Sequence, residues 1–367
     1  MILGIDASRA GKKEKTGTEW YSYYLLKAMS MLTSARDVRL YCKEAVSFDL
    51  PKKWEQRRIA WPFDFFWTQG GLSLEMVMHP PDVLFVPSHT IPLIHPRRTV
   101  TTIHDIGFHE SPEYRSVKER NYLEWSTRYA VKHCTTIITI SKFTKQELIR
   151  VYGADASHVE VVSLGIDADY GIQSGGEEEI QTALKKYGIT QPYLLFVGRI
   201  DSRKNLERLV RAFEVVKKET SFSGELVLAG PLGYDCESIL KNISQSACVH
   251  SIRTLGWISE SDKKALLHGS EMFVFPSLYE GFGLPVIEAQ SCGVPVMCSN
   301  TTSLPEIAGD GALFCDPQSH EDIAEKMIRL LTDKALRYEL GKRGIENAQR
   351  YSWTRCARET LRILEHE

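Results

Sequence analysis

The sequence predicts an α/β protein of two domains, each built on a mainly parallel sheet. With 367 residues the chain is longer than one ordinary hydrophobic core requires. Short apolar runs alternate with amphipathic stretches along its whole length, a pattern typical of βαβ units. Residues 164–179 are rich in glycine, serine and acidic residues and form the best linker. We therefore predict domains at 1–170 and 171–350, followed by an amphipathic helix within 351–367 that packs against the rest of the protein.

The elements of the two halves follow from these apolar runs and from the capping residues beside them. In the first half, strands are expected at 2–6, 38–42, 58–61, 83–86, 100–103, 136–140 and 160–163, with helices near 18–32, 68–78, 117–133 and 142–152. In the second half, strands are expected at 193–197, 225–229, 251–255, 272–276 and 296–298, with helices near 178–187, 204–219, 235–245, 260–268, 284–292, 319–332 and 335–350.

The composition excludes several classes of protein. Hydrophobic residues make up 43% and charged residues 25%, as in globular proteins, and the formal net charge of −2 gives no electrostatic footprint for nucleic acid. The eight cysteines contain no CxxC pair, so we expect neither a zinc finger nor a disulfide framework. We find no signal peptide and no apolar run near the ~20 residues of a membrane span, and therefore expect a cytoplasmic protein.

The most informative stretch is 272–293, which reads as a strand, a glycine loop and a short helix. Gly281 and Gly283 loosen the turn, and Pro285 occupies a first helical position. Such a loop directs backbone N–H groups and the positive end of the helix dipole at whatever lies above it, which favours an anion. Glu280 precedes the loop, and Glu288 stands in the apolar helix, where a carboxylate is costly unless it is hydrogen-bonded. The combination suits a ligand that carries both phosphates and hydroxyls.

Two cations follow the first strand of the second half. Arg199 stands at the predicted strand end and Lys204 at the predicted start of the next helix. Because a cation is unfavourable at the positive end of a helix, Lys204 suggests a compensating anion. Guanidinium offers a planar fork for phosphate oxygens and ammonium a compact charge, so the pair can converge on one phosphate group.

The first half offers weaker candidates at its strand ends, where parallel sheets bind ligands. The basic loop 7–19, which contains Gly17, is either a lip over a phosphate or sugar or a solvated loop with a capped helix, and the second interpretation is favoured. His104 with Asp105 is either functional or a strand-end hydrogen bond, and the sequence pattern leaves both open. No histidine spacing suggests a metal site.

Three further segments have mainly structural explanations. The basic and aromatic residues of 51–67 could contact a membrane or a lipid-linked substrate, but burial of the aromatics in the core is favoured. Ser141 precedes a capping box expected at Thr144 and Glu147, and no nucleophile motif surrounds it. Asp167 and Asp169 form an Asp-x-Asp pattern that some sugar transferases use for a metal, but we assign it to the linker.

Together these stretches resemble the retaining, nucleotide-sugar-dependent glycosyltransferases of the GT-B fold, in the large family four, glycosyl transferases group 1. The resemblance covers nearly the whole chain, and its second-domain motifs are the specific ones. The family usually has paired glycines or Gly-Ile-Gly in its first loop, whereas this chain has Thr16-Gly17-Thr18-Glu19. The stretches that match are Gly198–Arg199 with Lys204–Asn205, Glu280–Glu288, Ser303–Asp310, Thr102–Asp105 and Ile140–Thr144.

The resemblance implies two Rossmann-like domains that face a cleft, with the C-terminal helix crossing back to the first domain. It implies that Arg199 and Lys204 neutralise the departing diphosphate in place of a metal, and that Glu288 binds ribose hydroxyls. Glu280 would contact the transferred sugar or its developing positive charge, and His104 would hydrogen-bond that sugar. The remaining residues implied to bind the donor are Gly17, Gly281, Phe282, Gly283 and Leu284.

The expected activity is retaining transfer of a hexose, with mannose favoured, from a nucleotide-diphosphate sugar to a glycan or lipid-linked acceptor. GDP-mannose is the favoured donor, while a UDP-sugar donor of glucose or N-acetylglucosamine type remains an alternative. A nucleotide-sugar hydrolase or epimerase, or a non-catalytic partner subunit, are the other classes considered. We expect no bound cofactor, no metal and no nucleic acid, and we leave open a peripheral position at the inner face of the cytoplasmic membrane.

Overall fold

A computed structural model of the chain describes residues 1–13, 15–33, 36–62, 66–110, 116–171, 176–233 and 235–366. The described chain forms two compact units. The first unit holds the residues up to Gly165 together with those from Tyr351 onwards, and the second runs from Ile166 to Arg350. The boundary therefore falls slightly before the predicted end of the first domain at Tyr170. Residues 172–175 of the predicted linker lie outside the described residues.

The first unit is built on a parallel sheet of seven strands in the order β3-β2-β1-β4-β5-β6-β7. The central strands β1 and β4 are buried along their whole length, as the continuous apolar runs of parallel sheets require. The strands are β1 (Leu3–Asp6), β2 (Val38–Cys42), β3 (Trp54–Arg58), β4 (Val83–Val86), β5 (Arg98–Ile103), β6 (Thr136–Thr139) and β7 (Val159–Val161).

Among the described residues of this unit, five α-helices lie between the strands. A π-helical turn at Trp67–Leu72 runs directly into the second of them. The helices are α1 (Gly17–Leu32), α2 (Ser73–Met78), α3 (Gly107–Glu110), α4 (Val117–His133) and α5 (Lys142–Tyr152).

The second unit repeats the architecture with a parallel sheet of six strands in the order β10-β9-β8-β11-β12-β13. Its strands are β8 (Tyr193–Val197), β9 (Glu225–Ala229), β10 (Ile252–Gly256), β11 (Met272–Phe275), β12 (Val296–Ser299) and β13 (Ala312–Cys315). Its helices are α6 (Glu177–Tyr187), α7 (Leu206–Glu219), α8 (Cys236–Gln245), α9 (Glu260–Gly269), α10 (Leu284–Ser291), α11 (Leu304–Ala308), α12 (His320–Thr332) and α13 (Lys334–Ala348).

The final helix, α14 (Trp353–His366), belongs to the first unit, as the sequence predicts. The Trp353 ring stacks on Tyr24 of α1 with ring centroids 5.4 Å apart. Gly165 lies so close to this helix that a Cβ on it would stand 2.1 Å from the Trp353 backbone nitrogen. The chain therefore leaves the first unit and returns to it at one tightly packed point.

The predicted two-unit α/β fold is confirmed, and two predicted elements are corrected. The strand expected at 58–61 lies instead at Trp54–Arg58, where Trp54 is buried and pairs with Val38. The helix expected from residue 204 begins at Leu206, after a 3-10 turn at Ser202–Lys204. The strand β13 and the short helices α3 and α11 were not predicted. Among the described helices, none combines the length and apolarity that crossing a membrane requires.

Candidate functional site

The loops after β8 and β11 meet, because these two strands are neighbours at the centre of the second sheet. The Leu278 N–H donates to the Arg203 carbonyl at 2.8 Å. The buried Asn205 side chain donates to the carbonyls of Pro276 at 2.9 Å and Pro317 at 2.7 Å. Asn205 has a left-handed backbone (φ 61°), which asparagine adopts more easily than most residues. These contacts fix the two loops as one rigid edge.

Around Arg199, the backbone at Gly230 and Gly233 packs closely against the loop after β8. Gly230 has φ 142°, and a Cβ on it would lie 1.9 Å from the Gly198 carbonyl oxygen. A Cβ on Gly233 would stand 2.8 Å from both Cγ and Cδ of Arg199. The Arg199 side chain therefore lies along the Gly233 backbone, and it is exposed. Its guanidinium is available to an anion arriving at the carboxyl end of the sheet.

Lys204 and Glu280, which the sequence assigned to one site, form a buried ion pair. The Lys204 Nζ contacts Glu280 Oε1, with both side chains at most 10% exposed. The same ammonium lies 5.0 Å from the centroid of the Phe275 ring, a cation–π distance. Ser277 Oγ donates to Glu280 Oε1 at 2.6 Å. This ion pair therefore joins the loop after β8 to the loop after β11, in addition to the backbone hydrogen bond between Leu278 and Arg203.

Glu280 is held ionised by its neighbours. Burial alone would raise the pKa of this carboxyl, but the Lys204 ammonium and the Arg203 guanidinium outweigh burial and bring it below its usual range. Lys204 therefore faces a carboxylate at neutral pH. The prediction that Lys204 lies at the positive end of a helix is wrong, since α7 begins at Leu206. The anion that compensates the Lys204 charge is the carboxylate of Glu280, a protein side chain.

The loop 281–284 leads into α10 as predicted. Gly283 caps this helix with φ 102°, and a Cβ on it would lie 2.5 Å from Leu304 Cδ2. Phe282 and Gly281 are buried. Ser303 Oγ donates to the carbonyls of Glu280 at 2.9 Å and Phe282 at 3.0 Å. Ser303, the first residue of the stretch 303–310 that resembles the family's downstream loop, therefore braces the glycine loop.

Glu288 does not join the Lys204–Glu280 pair but has its own cation. Its Oε1 lies 2.9 Å from Nζ of Lys263 on α9, and Lys263 also pairs with Glu260 at 2.9 Å. Tyr170 donates its hydroxyl to Glu260 at 2.6 Å and presents its ring 5.2 Å from the Lys263 ammonium. Burial raises the pKa of Glu288 above its usual range although Lys263 opposes that shift. The sequence analysis missed Lys263, Glu260 and Tyr170.

We expect Glu288→Ala to raise the donor KM by about 10–100-fold with a much smaller change in kcat. A hydrogen bond from a ligand hydroxyl to a charged group is worth about 1.5–3 kcal/mol, and a ribose held by Glu288, as the resemblance implies, would keep that bond throughout the reaction. Lys263 retains Glu260 as its partner, so the fold should persist. Initial rates at varied donor concentration test this, with the exposed Glu178→Ala of α6 as the control. An unchanged KM would remove the ribose assignment.

In the first unit, His104 is a half-buried histidine that is neutral at neutral pH, because its pKa is lowered well below the usual value. Burial is the main cause that lowers its pKa to about 4, against the opposing effect of the Pro87 carbonyl, which lies 3.4 Å from Nε2. Its ring meets Tyr21 edge to face at 4.7 Å. Asp105 Oδ1 accepts the Gly107 N–H at 3.0 Å and so starts α3. At neutral pH His104 can therefore act as a hydrogen-bond partner, but not as a cation charged by Asp105.

Ion pairs with Glu19 hold the basic loop before α1 in place. The sequence analysis assigned no role to this residue. Glu19 is buried, and its carboxylate lies 2.7 Å from Arg9 Nη1 and 3.1 Å from Lys12 Nζ. Of the two threonines that could cap this helix, Thr16 and Thr18, Thr16 is the N-cap, and Glu19 completes a capping box with it. A Cβ on Gly17 would meet nothing within 4 Å, so this position is open. The favoured interpretation, a loop with a capped helix, matches this geometry.

We expect Glu19→Gln to lower the free energy of unfolding by about 1–2 kcal/mol at neutral pH, through the weakened cap and ion pairs. Burial would raise the pKa of Glu19, but the Thr16 hydrogen bond and the Arg9 guanidinium bring it to about 2. A depressed pKa stabilises the fold above the ordinary value of 4.5, and this contribution is lost as pH falls towards 2. Urea unfolding across this range should show the variant and the wild type converging, whereas Glu178→Gln, at an exposed glutamate of α6, should track the wild type throughout.

The remaining predicted segments have structural roles in the described chain. Ser141, not Thr144, caps α5, and it accepts the Thr144 N–H at 3.1 Å. Asp169 lies 3.7 Å from Lys264. In the segment 51–67, Trp54 and Trp67 are buried as favoured, and Phe66 is exposed, while residues 63–65 lie outside the described residues. Among the described residues no group of three or more metal-ligating side chains gathers.

Two parallel α/β units, with charged loops joined at the carboxyl edge of the second sheet, define the class of GT-B glycosyltransferases. The family model Glycosyl transferases group 1 matches residues 179–349, and the model Glycosyltransferase Family 4 matches residues 19–170. The chain belongs to the glycosyl transferases group 1 family, and the predicted family is confirmed.

Its relatives include mannosyltransferases. O-antigen chain mannosyltransferase B of Escherichia coli is 35% identical over 265 residues, which cover 72% of this chain and 69% of the relative. Serotype-specific mannosyltransferase WbdA of Escherichia coli is 30% identical over 271 residues, covering 71% of this chain but only 32% of the relative. Anabaena HepE, solved in complex with UDP and glucose, superposes with a TM-score of 0.76 at 17% identity, covering 99% of each chain, and shows the fold alone.

Proposed function

We propose that the protein is a retaining glycosyltransferase that moves a mannosyl group from GDP-mannose to a glycan or lipid-linked acceptor and forms an α-linkage. The observation that carries this proposal is the braced edge where Lys204 and Glu280 pair beside the exposed Arg199. It offers positive charge for a diphosphate next to a carboxylate for a sugar. The relatives named mannosyltransferases support the choice of mannose.

The proposed reaction places positive charge where the leaving group becomes more negative. The bond between the anomeric carbon and the diphosphate oxygen breaks as the acceptor oxygen bonds to the same face of that carbon, and the acceptor proton passes to the leaving phosphate. An ammonium has three N–H donors, and Glu280 Oε1 takes one of those of Lys204. The others can serve phosphate oxygens together with the Arg199 fork.

Glu280 has the complementary task in this scheme. Because Lys204, Arg203 and Ser277 keep its carboxylate ionised, it can stabilise the positive character that develops at the anomeric carbon. We do not assign it as a nucleophile, since same-face attack needs no covalent intermediate. Glu288 serves the ribose, and the loop 281–284 the sugar or phosphate. The contacts assigned to His104 and Gly17 in the first unit stay predictions.

We propose that catalysis needs no metal, because Arg199 and Lys204 supply the charge that a metal would otherwise provide. No bound cofactor is proposed besides the nucleotide-sugar co-substrate. We place the protein in the cytoplasm, with its lipid-linked acceptor at the inner face of the membrane.

A donor screen followed by product analysis tests the function. Thermal shift with GDP-, UDP- and ADP-sugars should single out GDP-mannose, and stabilisation by UDP-glucose instead would favour the UDP-sugar alternative. Mass analysis should then show a product one hexose heavier than the acceptor, with turnover unchanged in EDTA. Rapid conversion of the donor without acceptor would indicate a hydrolase or epimerase. Strict dependence on a divalent cation would return attention to Asp167 and Asp169.

A further inference from the structure

The loop between β12 and α11 contains a backbone conformation that is costly for the residue that adopts it. Thr302 has φ 59°, in the left-handed region. Among the non-glycine residues of the described chain that share a positive φ, Asn205 and Asp235 are of the types that adopt it most easily, whereas Thr302 is β-branched. For a β-branched residue the conformation is an outlier, which persists only where the surroundings enforce it. Such strain is found most often at functional sites.

The strained residue contacts Glu280. Strand β12 is the neighbour of β11, so the loops that follow these two strands lie side by side at the carboxyl edge of the second sheet. The Glu280 N–H donates to Thr302 Oγ1 at 3.3 Å. Thr302 is half-buried, and Glu280 is buried. The Thr302 hydroxyl therefore supplies an acceptor to the backbone N–H of a buried residue.

Hydroxyl groups of three serines hold the same segment. Ser303 Oγ donates to the Glu280 carbonyl at 2.9 Å, and Ser277 Oγ donates to the Glu280 carboxylate at 2.6 Å. Ser299, at the end of β12, donates its hydroxyl to the Ser277 carbonyl at 2.7 Å. All three serines are fully buried. Together with Thr302 they bond the N–H, the carbonyl and the carboxylate of Glu280.

This segment needs restraint from its neighbours because its own sequence gives little. Glu280 is followed by Gly281 and Gly283, and glycine restricts the backbone less than any other residue. A carboxylate that stabilises a developing charge must already be in place when that charge appears. A displacement of about 1 Å can lower a rate by about 10²-fold. A rotation of the peptide unit at the Glu280 N–H would displace the carboxylate, and the hydrogen bond to Thr302 opposes that rotation.

We propose that Thr302 is a positioning residue, which fixes the backbone of Glu280 so that its carboxylate faces the anomeric carbon of the donor sugar. The inference rests on the proposed function, since it extends the role assigned to Glu280. Thr302 itself touches neither donor nor acceptor in this scheme. Glycine would adopt the same turn without strain but would offer no acceptor for the Glu280 N–H. The strain at residue 302 therefore accompanies the placement of a hydroxyl group there.

Two substitutions separate this role from a purely structural one. Thr302→Ser keeps the hydroxyl and removes the branching, so the melting temperature should equal or exceed that of the wild type, with kcat within about threefold. Thr302→Gly removes both the strain and the hydroxyl. Its melting temperature should fall by no more than about 3 °C, whereas its kcat should fall by about tenfold or more. If Thr302 were only structural, kcat would fall only where the melting temperature also falls.

Coupling to Glu280 tests whether Thr302 acts through that residue. With the nucleotide sugar that the wild type uses, Thr302→Ala should lower kcat by about tenfold and change the donor KM by less than about threefold. In a Glu280→Gln background the same substitution should change kcat by less than about twofold, because the carboxylate that it positions is already gone. A radiolabelled donor makes the residual turnover measurable.

Thr301→Val is the matched control, at the adjacent threonine of the same loop. The Thr301 hydroxyl oxygen is buried and makes no hydrogen bond with the described residues. Its loss should therefore leave kcat unchanged.

Three results would overturn the inference. Thr302→Ala could keep kcat within about twofold of the wild type, or its effect could multiply with that of Glu280→Gln, which would show that Thr302 acts independently of Glu280. Thr302→Gly could melt more than about 3 °C below the wild type, which would make Thr302 a structural residue. A wild-type chain that transfers no sugar would refute the proposed function itself, whereas an active wild type with an equally active Thr302→Ala refutes this inference alone.

Discussion

Replacing Lys204 by methionine is expected to lower the free energy of unfolding by about 3–5 kcal/mol, because it leaves the Glu280 carboxylate buried without its cation. The Glu280 and Lys204 side chains are at most 10% exposed, so bulk water screens the remaining charge only weakly. The same variant should lower kcat by about 10²–10³-fold through loss of charge at the leaving group. Urea unfolding and initial-rate kinetics measure the two effects separately.

The double variant Lys204→Met with Glu280→Gln separates stability from catalysis. Removing both charges of a buried pair is often nearly neutral, so much of the lost stability should return while turnover stays low. Since the pKa of Glu280 lies below its usual range, the contribution of the pair should be present at neutral pH and fade only in acid. A loss of less than about 1 kcal/mol in Lys204→Met would mean that solvent screens the pair.

The fold was largely predictable because parallel strands in a two-faced sheet are continuous apolar runs. The central strands β1, β4, β8 and β11 satisfy this rule and were placed correctly. The edge strand β3 reads Trp-Glu-Gln-Arg-Arg, so its only strongly apolar residue is Trp54, and the apolar run at 58–61 diverted the prediction. The position of an edge strand depends on the neighbour that it pairs with, which no local pattern shows.

The site was predictable where chemistry depends on strand ends, and not where it depends on packing between helices. Glu280, Lys204 and Arg199 follow central strands, and the topology of a parallel sheet brings such positions together. Lys263 lies on α9 and pairs with Glu288 on α10, a contact between two helices that no local pattern shows. Glu19 was hidden for another reason, since a glutamate in a first helical turn looks like ordinary capping until the two cations that pair with its buried carboxylate are seen.

Replacing Arg199 by alanine is expected to lower kcat/KM by about 10²–10³-fold while changing the free energy of unfolding by less than about 0.5 kcal/mol. The guanidinium is exposed and lies along the Gly233 backbone, so the fold gains little from its charge. Its proposed partner is the diphosphate, whose negative charge grows as the sugar departs. Arg199→Lys should show an intermediate rate, because it keeps the charge but loses the planar fork.

The division of the Arg199→Ala effect between kcat and KM decides what this side chain does. An interaction that strengthens as charge develops on the leaving group lowers kcat, whereas one that is equal in bound donor and transition state raises only KM. We expect kcat to fall by at least about tenfold, with weaker inhibition by GDP as a second sign of the lost phosphate contact. Arg211→Ala, at an exposed arginine of α7, controls for a general loss of positive charge. A variant with wild-type kcat and a raised KM would make Arg199 a donor-binding residue only, and would leave Lys204 to stabilise the departing diphosphate.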